Sequence, residues 1–202
     1  MNGTNAPFGL KPVRLLNGAA YTGGGTPYVI ASAYATALYS GDPVTTLSDG
    51  TIGIGVAGAA IRGVFDHVEY VPTSGQPYYG YWPAAATYRA GTCVAYVHDN
   101  PEIVFQIQES NGSGAAGTPL ALADVGLNAN FYVGTGSATN NPEGQSGTTI
   151  NNATEDTTAT LNLKILGLSP FAPGVNPVGN FAVWDVMINN HQLKGGTGTD
   201  GV

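Results

Sequence analysis

Glycine and proline interrupt this chain from end to end. There are 30 glycines and 13 prolines among 202 residues, and they follow no Gly-X-Y period. That spacing excludes a collagen-like rod and disfavours long helices, because proline removes a helix hydrogen bond and glycine pays the largest backbone entropy. Between the interruptions lie short apolar runs, the pattern of an all-β domain rich in turns. Hydrophobic residues make up 43% of the chain. A chain of this length buries about 70% of its extended surface on folding, enough for a sizeable core.

Two segments alternate with period two, as antiparallel strands half covered by a core do. In Glu102 to Glu109, Ile103, Phe105 and Ile107 share one face and Gln106 and Gln108 the other. In Thr160 to Leu166, Leu161, Leu163 and Ile165 point inward and Asn162 and Lys164 outward. Phe181 to Asn189, with Ala182, Trp184, Val186 and Ile188 on one side, and Thr92 to His98 fit less strictly. Asp49-Gly50 between Val44–Leu47 and Thr51–Ala60 predicts a hairpin, since glycine accepts the positive φ of a type I′ turn. The reading is a jelly-roll-like antiparallel β-sandwich with long loops.

The ends divide the chain. Residues 1–27 carry Pro7, Pro12, Pro27, Asn17-Gly18 and three successive glycines at 23–25, and read as an extended N-terminal arm. The sandwich is expected over residues 28–194, with a mobile tail at 195–202. Within it, Leu120 to Asn130 predicts one short helical turn. Ser110–Gly117 and the polar stretch Gly134–Thr158, with Asn140-Asn-Pro142, predict loops.

Charge narrows the function. Six Lys and Arg face thirteen Asp and Glu, a net charge of -7. Scattered cations argue against nucleic acid as a partner, which calls for clustered Lys and Arg. No apolar run approaches the length of a membrane helix, so no membrane partner is expected. Charged residues are 9% of the chain, against roughly 25% in ordinary soluble domains. Such a surface is either unusually neutral or covered by partners. The single cysteine, Cys93, requires no oxidising compartment, and the first ten residues show no secretory leader.

The chemical motifs are weak. Gly53, Gly55 and Gly58 match G-x-G-x-x-G, but the sequence beyond reads as a strand, whereas a dinucleotide site needs a helix there. Asp66 with Glu69, Asp99 with Glu102, and Glu155 with Asp156 read as solvated turn pairs; a hydrolase using Asp66 or Glu69 would need carboxyls facing each other across a bond. His67, His98 and His191 have no metal-ligand spacing, and Cys93 reads as a buried strand residue. Catalysis, a cofactor and a metal are therefore not expected. Tyr78, Tyr79, Tyr81 and Trp82 form the densest aromatic cluster. They fit core packing, a protein interface or a sugar-stacking platform.

Several strings together resemble a known family. Asn5-Ala-Pro-Phe-Gly-Leu-Lys-Pro-Val-Arg14, Leu16-Asn-Gly-Ala-Ala-Tyr21, Asn100 to Glu109, Ala123 to Asn130, and Trp184 to Gln192 are similar to stretches of tailed-phage head-stabilising, cement or decoration proteins. The resemblance implies a sandwich on the capsid surface of a virion assembled in the host cytoplasm, bridging neighbouring subunits of the major capsid protein. Self-association as a homodimer or homotrimer is part of that expectation. Phe8, Leu10 and Pro12 of the arm and Tyr78, Tyr79, Tyr81 and Trp82 are the expected contact residues. The alternative is a carbohydrate- or receptor-binding module with Tyr79, Tyr81 and Trp82 as its platform.

Overall fold

In the computed structural model, residues 3–139, 144–170, 175–194 and 198–201 are described. Thirteen strands follow in chain order: β1 Lys11–Leu15, β2 Thr26–Tyr28, β3 Pro43–Thr46, β4 Ile52–Ile54, β5 Gly63–Tyr70, β6 Tyr78–Gly80, β7 Val94–His98, β8 Ile103–Ser110, β9 Asn128–Ala129, β10 Phe131–Tyr132, β11 Thr149–Asn151, β12 Leu163–Leu168 and β13 Val183–Ile188. One 3-10 turn, Leu122–Asp124, stands where a short helical turn is expected. The molecule is all-β.

Two sheets form a sandwich-like arrangement. The first runs β10-β11-β8-β13-β12-β9, with β1 also on β8; the second runs β2-β7-β5-β3-β4, with β6 on β5. Among the described residues the pairings between named strands are antiparallel except β11 with β8, which is parallel, so the first sheet is mixed. Its end strands β9 and β10 are separated by Asn130 alone, which curls the sheet around its core. The second sheet curls likewise, because the Ile52 N–H of its far edge donates to Val29 O, next to β2, at 2.9 Å.

Each sheet holds its own apolar cluster. Ile103, Phe105, Ile107, Leu163, Ile165, Trp184, Val186 and Ile188 line the first, on the faces the alternation predicts. Val44, Ile52, Phe65, Val68, Ala95, Val97 and Trp82 line the second. Full burial of side chains this large stabilises by about 1.5–3 kcal/mol each. The β3–β4 hairpin turns at Gly50 with φ of 82°, and Asp49 Oδ1 accepts the Thr51 N–H at 2.9 Å. The run through Gly53 ends as strand at Ile54, turns through Gly58 with φ of 79° and resumes as strand β5 at Gly63, where a dinucleotide site would need a helix.

A polar seam joins the sheets. Asn162, expected outward, is fully buried: its Oδ1 accepts the Gly58 N–H at 2.8 Å and its Nδ2 donates to Ala59 O at 2.7 Å. Gln192 Oε1 accepts the Thr46 N–H, and its Nε2 donates to Thr45 Oγ1. Asp42, 2% exposed, accepts from Ser146 and Thr148 hydroxyls across the same seam. Burial pushes the Asp42 carboxyl above its ordinary range despite those bonds.

Three expectations about the chain's organisation need correction. The segment 1–27 is extended, but Leu10 is 1% exposed in the first core and Lys11–Leu15 pairs with β8. β2 also straddles the 27/28 boundary, so that boundary separates no unit. The stretch 144–152 is not an exposed loop: Ser146, Thr148, Thr149, Ile150 and Asn152 are buried around β11. Glycine permits this, since a Cβ on Gly134 would meet Gly147 O at 2.3 Å. At the C-terminus, Thr199 and Gly201 are held by Asn189 Oδ1 and Thr157 O. The expected turn at Asn140-Asn-Pro142 and residues 195–197 and 202 of the tail lie outside the described residues.

Candidate interaction surfaces

The seven expected contact residues do not share a surface. Leu10 is core and cannot reach a partner. Trp82 is fully buried, with its indole N–H donating to Tyr34 O at 3.1 Å, so it too is corrected to a core residue. Phe8 and Pro12 are half-buried along a cleft. Tyr78 faces the second core, its ring 4.9 Å from Tyr70, and burial pushes its phenol up to about 12. Tyr81 is half-buried and stacks on Tyr39 at 5.2 Å. Tyr79, 48% exposed, points to the opposite side of the sheet. Strand alternation separates Tyr78 from Tyr79, but past Gly80, with φ of 148°, Tyr81 returns to the Tyr78 side, 6.3 Å from its ring, and Trp82 is core, so the expected Tyr79-Tyr81-Trp82 platform does not form.

Tyr79 instead joins residues from neighbouring strands. On β5, a register shift between Phe65 and His67 marks a bulge at Asp66. Bulges re-aim side chains. Beyond it His67 and Glu69 turn outward while Val68 and Tyr70 turn inward. Tyr96 of β7 sits opposite His67, Pro27 of β2 opposite Tyr96, and Tyr79 of β6 opposite Glu69. The His67 ring lies 4.6 Å from both Tyr79 and Tyr96. Asp66 Oδ2 is 3.1 Å from His67 Nδ1, and Glu69 Oε1 is 3.9 Å from Nε2. The two carboxylates thus bracket one imidazole.

At its other end the same face meets the first sheet. Phe8, Leu10, Lys11, Pro12, Asp66 and His98 line part of a cleft of about 430 Å³ between them. The Tyr21 hydroxyl is 2.9 Å from His98 Nδ1, and Asp66 Oδ1 is 3.8 Å from His98 Nε2. Burial lowers the His98 pKa against the opposing pull of Asp66, and burial with that same carboxylate raises the Tyr21 phenol. Next to it, Tyr28 and Thr26 donate to Asp99, with Arg62 3.7 Å from the same carboxylate. Among the described residues no cluster of three or more His, Cys, Asp or Glu is placed to hold a metal ion.

Reasoning on the sequence missed His67, Glu69 and Tyr96 as neighbours of Tyr79. The outward positions of β5 and β7 were legible only with the bulge and the register known, and neither leaves a composition signal. Cys93 is buried as expected, and burial pushes its thiol up. No helix among the described residues is long and apolar enough to cross a membrane. Comparison with protein-family models, curated proteins and solved structures finds no match.

Proposed function

We propose that this chain is a structural virion protein that binds the outside of a tailed-phage head and cements adjacent major capsid subunits. The observation that carries the reading is the scarcity of outward charge. Nineteen formally charged side chains serve a surface of 8903 Å², and Asp42, Glu109 and Asp185 are buried at 5% exposure or less. A neutral face packs against a repeated lattice without stripping water from many ions, a cost that imperfect pairing does not recover. The resemblance of five segments to head-cementing proteins supports the same reading. Attachment then runs through preformed sheet faces and loops, because the N-terminal segment is committed to its own sandwich. No chemistry is assigned to the protein in this role.

The test uses heads of the phage whose genome carries the sequence, prepared without this protein. Mixed with the purified chain and sedimented, such heads are expected to carry it at a fixed number of copies per capsomer. Electron cryomicroscopy should then place it on the outer surface across subunit boundaries. A chain that stays in the supernatant, or that localises to the tail or the interior, overturns the proposal.

A further inference from the structure

The part of the second sheet's outer face that the first sheet leaves uncovered gathers aromatic rings and carboxylates. Tyr79, His67 and Tyr96 are adjacent on β6, β5 and β7, with ring centroids 4.6 Å apart in each step, and Pro27 extends the strip onto β2. Asp66 and Glu69 flank it, with side chains 32% and 52% exposed. Among the described residues, their ion-pair partners are histidines only. The arginines that do form pairs are held elsewhere: Arg14 on Asp185 at 3.3 Å and Arg62 on Asp99 at 3.7 Å. Lys164 donates to the Gly126 and Asp200 carbonyls.

We propose that this strip is the docking site for a cationic side chain, an arginine or lysine presented by the protein surface on which the chain sits. The negative faces of aromatic rings attract a cation within about 6 Å of their centroids. Carboxylates beside the rings add charge-assisted hydrogen bonds, bidentate for a guanidinium. Arginine fits best, since its planar head stacks on a ring while its fork meets a carboxylate. The chain's own charge of -7 makes a basic partner the complementary one. A neutral saccharide would use the rings but leave both carboxylates uncompensated. That the surface belongs to a phage head rests on the proposed function; the cation site does not.

Purified protein labelled with ¹⁵N is titrated with N-acetyl-arginine amide, and in a parallel arm with methyl glucoside. The arginine derivative is expected to give saturable shifts at Tyr79, His67 and Tyr96, and the glucoside none. Tyr79→Ala should weaken binding about twofold to fivefold, while Tyr79→Phe retains it. Glu69→Gln, at an exposed side chain that folding does not depend on, should weaken it at least as much. Shifts produced by the glucoside alone, or an arginine affinity unchanged in Glu69→Gln, overturn the proposal. The same variant in the head-sedimentation assay separates the two readings. Arginine binding by a chain that ignores heads removes the virion role and keeps the site, whereas full head binding by Glu69→Gln removes the site's role in docking.

Discussion

Gln108 holds the backbone around Ala6 with both ends of its amide. Its Oε1 accepts the Ala6 N–H at 2.9 Å, and its Nε2 donates to Thr4 O at 2.9 Å and to Phe181 O at 3.1 Å. The side chain lies on the polar face of β8, which alternation alone assigns to solvent. That face is covered by the chain's own N-terminal segment, so Gln108 is 5% exposed. A segment that composition marks as a free arm is therefore part of the first sheet's architecture.

Substitutions along this segment should consequently act on stability. Leu10→Ala is expected to cost about 2–5 kcal/mol, the range for emptying a buried leucine site. Gln108→Ala, which removes three part-buried hydrogen bonds to the backbone, should cost about 1–3 kcal/mol. Removing residues 1–14 takes away Leu10 and most of β1 together and should lower the urea midpoint more than either substitution. A truncated chain with the parent's midpoint would show that the segment is dispensable to the fold.

The extent to which the sequence foretold this fold follows from what each residue contacts. Ile103, Phe105, Ile107, Trp184, Val186 and Ile188 are where period two places them, because burial on one face of a strand imposes that period directly. Asn162, Gln108 and Asp42 escaped because their burial is repaid by partners distant in sequence, 102 to 106 residues away for several of the bonds. Trp82 escaped for a related reason: it lies beyond β6 and is turned into the core by backbone pairing with Leu38, distant in sequence. The outer strip of Tyr79, His67 and Tyr96 was out of reach altogether, since it depends on a one-residue bulge.

The seam between the sheets gives a second prediction. Asn162, itself fully buried, bridges Gly58 and Ala59 of the exposed turn between β4 and β5 with an acceptor and a donor. Asn162→Ala should cost about 1–3 kcal/mol, as two hydrogen bonds worth about 0.5–1.5 kcal/mol each are lost. Asn162→Asp keeps the acceptor but loses the donor to Ala59 O and buries a charge, so it should be at least as damaging. Urea denaturation of the two variants checks this. A neutral Asn162→Ala would mean that the seam is not a source of stability.

Cys93 offers a probe of the second core. It is 5% exposed among Ile30, Tyr88 and Ala95, and burial raises its thiol pKa, so little thiolate is present or reachable. In native buffer its reaction with a disulfide reagent should run at least about a thousandfold slower than in denaturant, tracking the opening of the core. Fast native labelling would place the thiol at the surface and contradict the packing of β7.

Glu109 and His191 set opposing pH dependences. Glu109 is fully buried: Oε2 accepts the Leu120 N–H at 2.9 Å, while the Trp184 indole and Asn152 amide face the carboxyl without completing hydrogen bonds. Burial pushes its pKa from 4.5 up to about 7. The folded chain then keeps a proton that the unfolded chain releases. That stabilisation is full below pH 4.5 and is lost as the pH rises to about 7. His191 is the reverse. It is 1% exposed, its Nδ1 accepts the Leu193 N–H at 3.0 Å, and burial, with Lys194 nearby, pushes it from 6.5 down to about 4. Its contribution is full above pH 6.5 and is lost as the pH falls to about 4. Where the windows overlap, each group contributes a slope of about 1.4 kcal/mol per pH unit with opposite sign, so the two nearly cancel in the parent protein. Glu109→Gln should unmask a stability that climbs by on the order of 3 kcal/mol toward pH 6.5, and His191→Gln one that declines by a similar amount from pH 4.5. Urea denaturation across pH 4 to 7.5 measures both. Parallel profiles for the two variants would show that burial does not shift these groups in opposite directions.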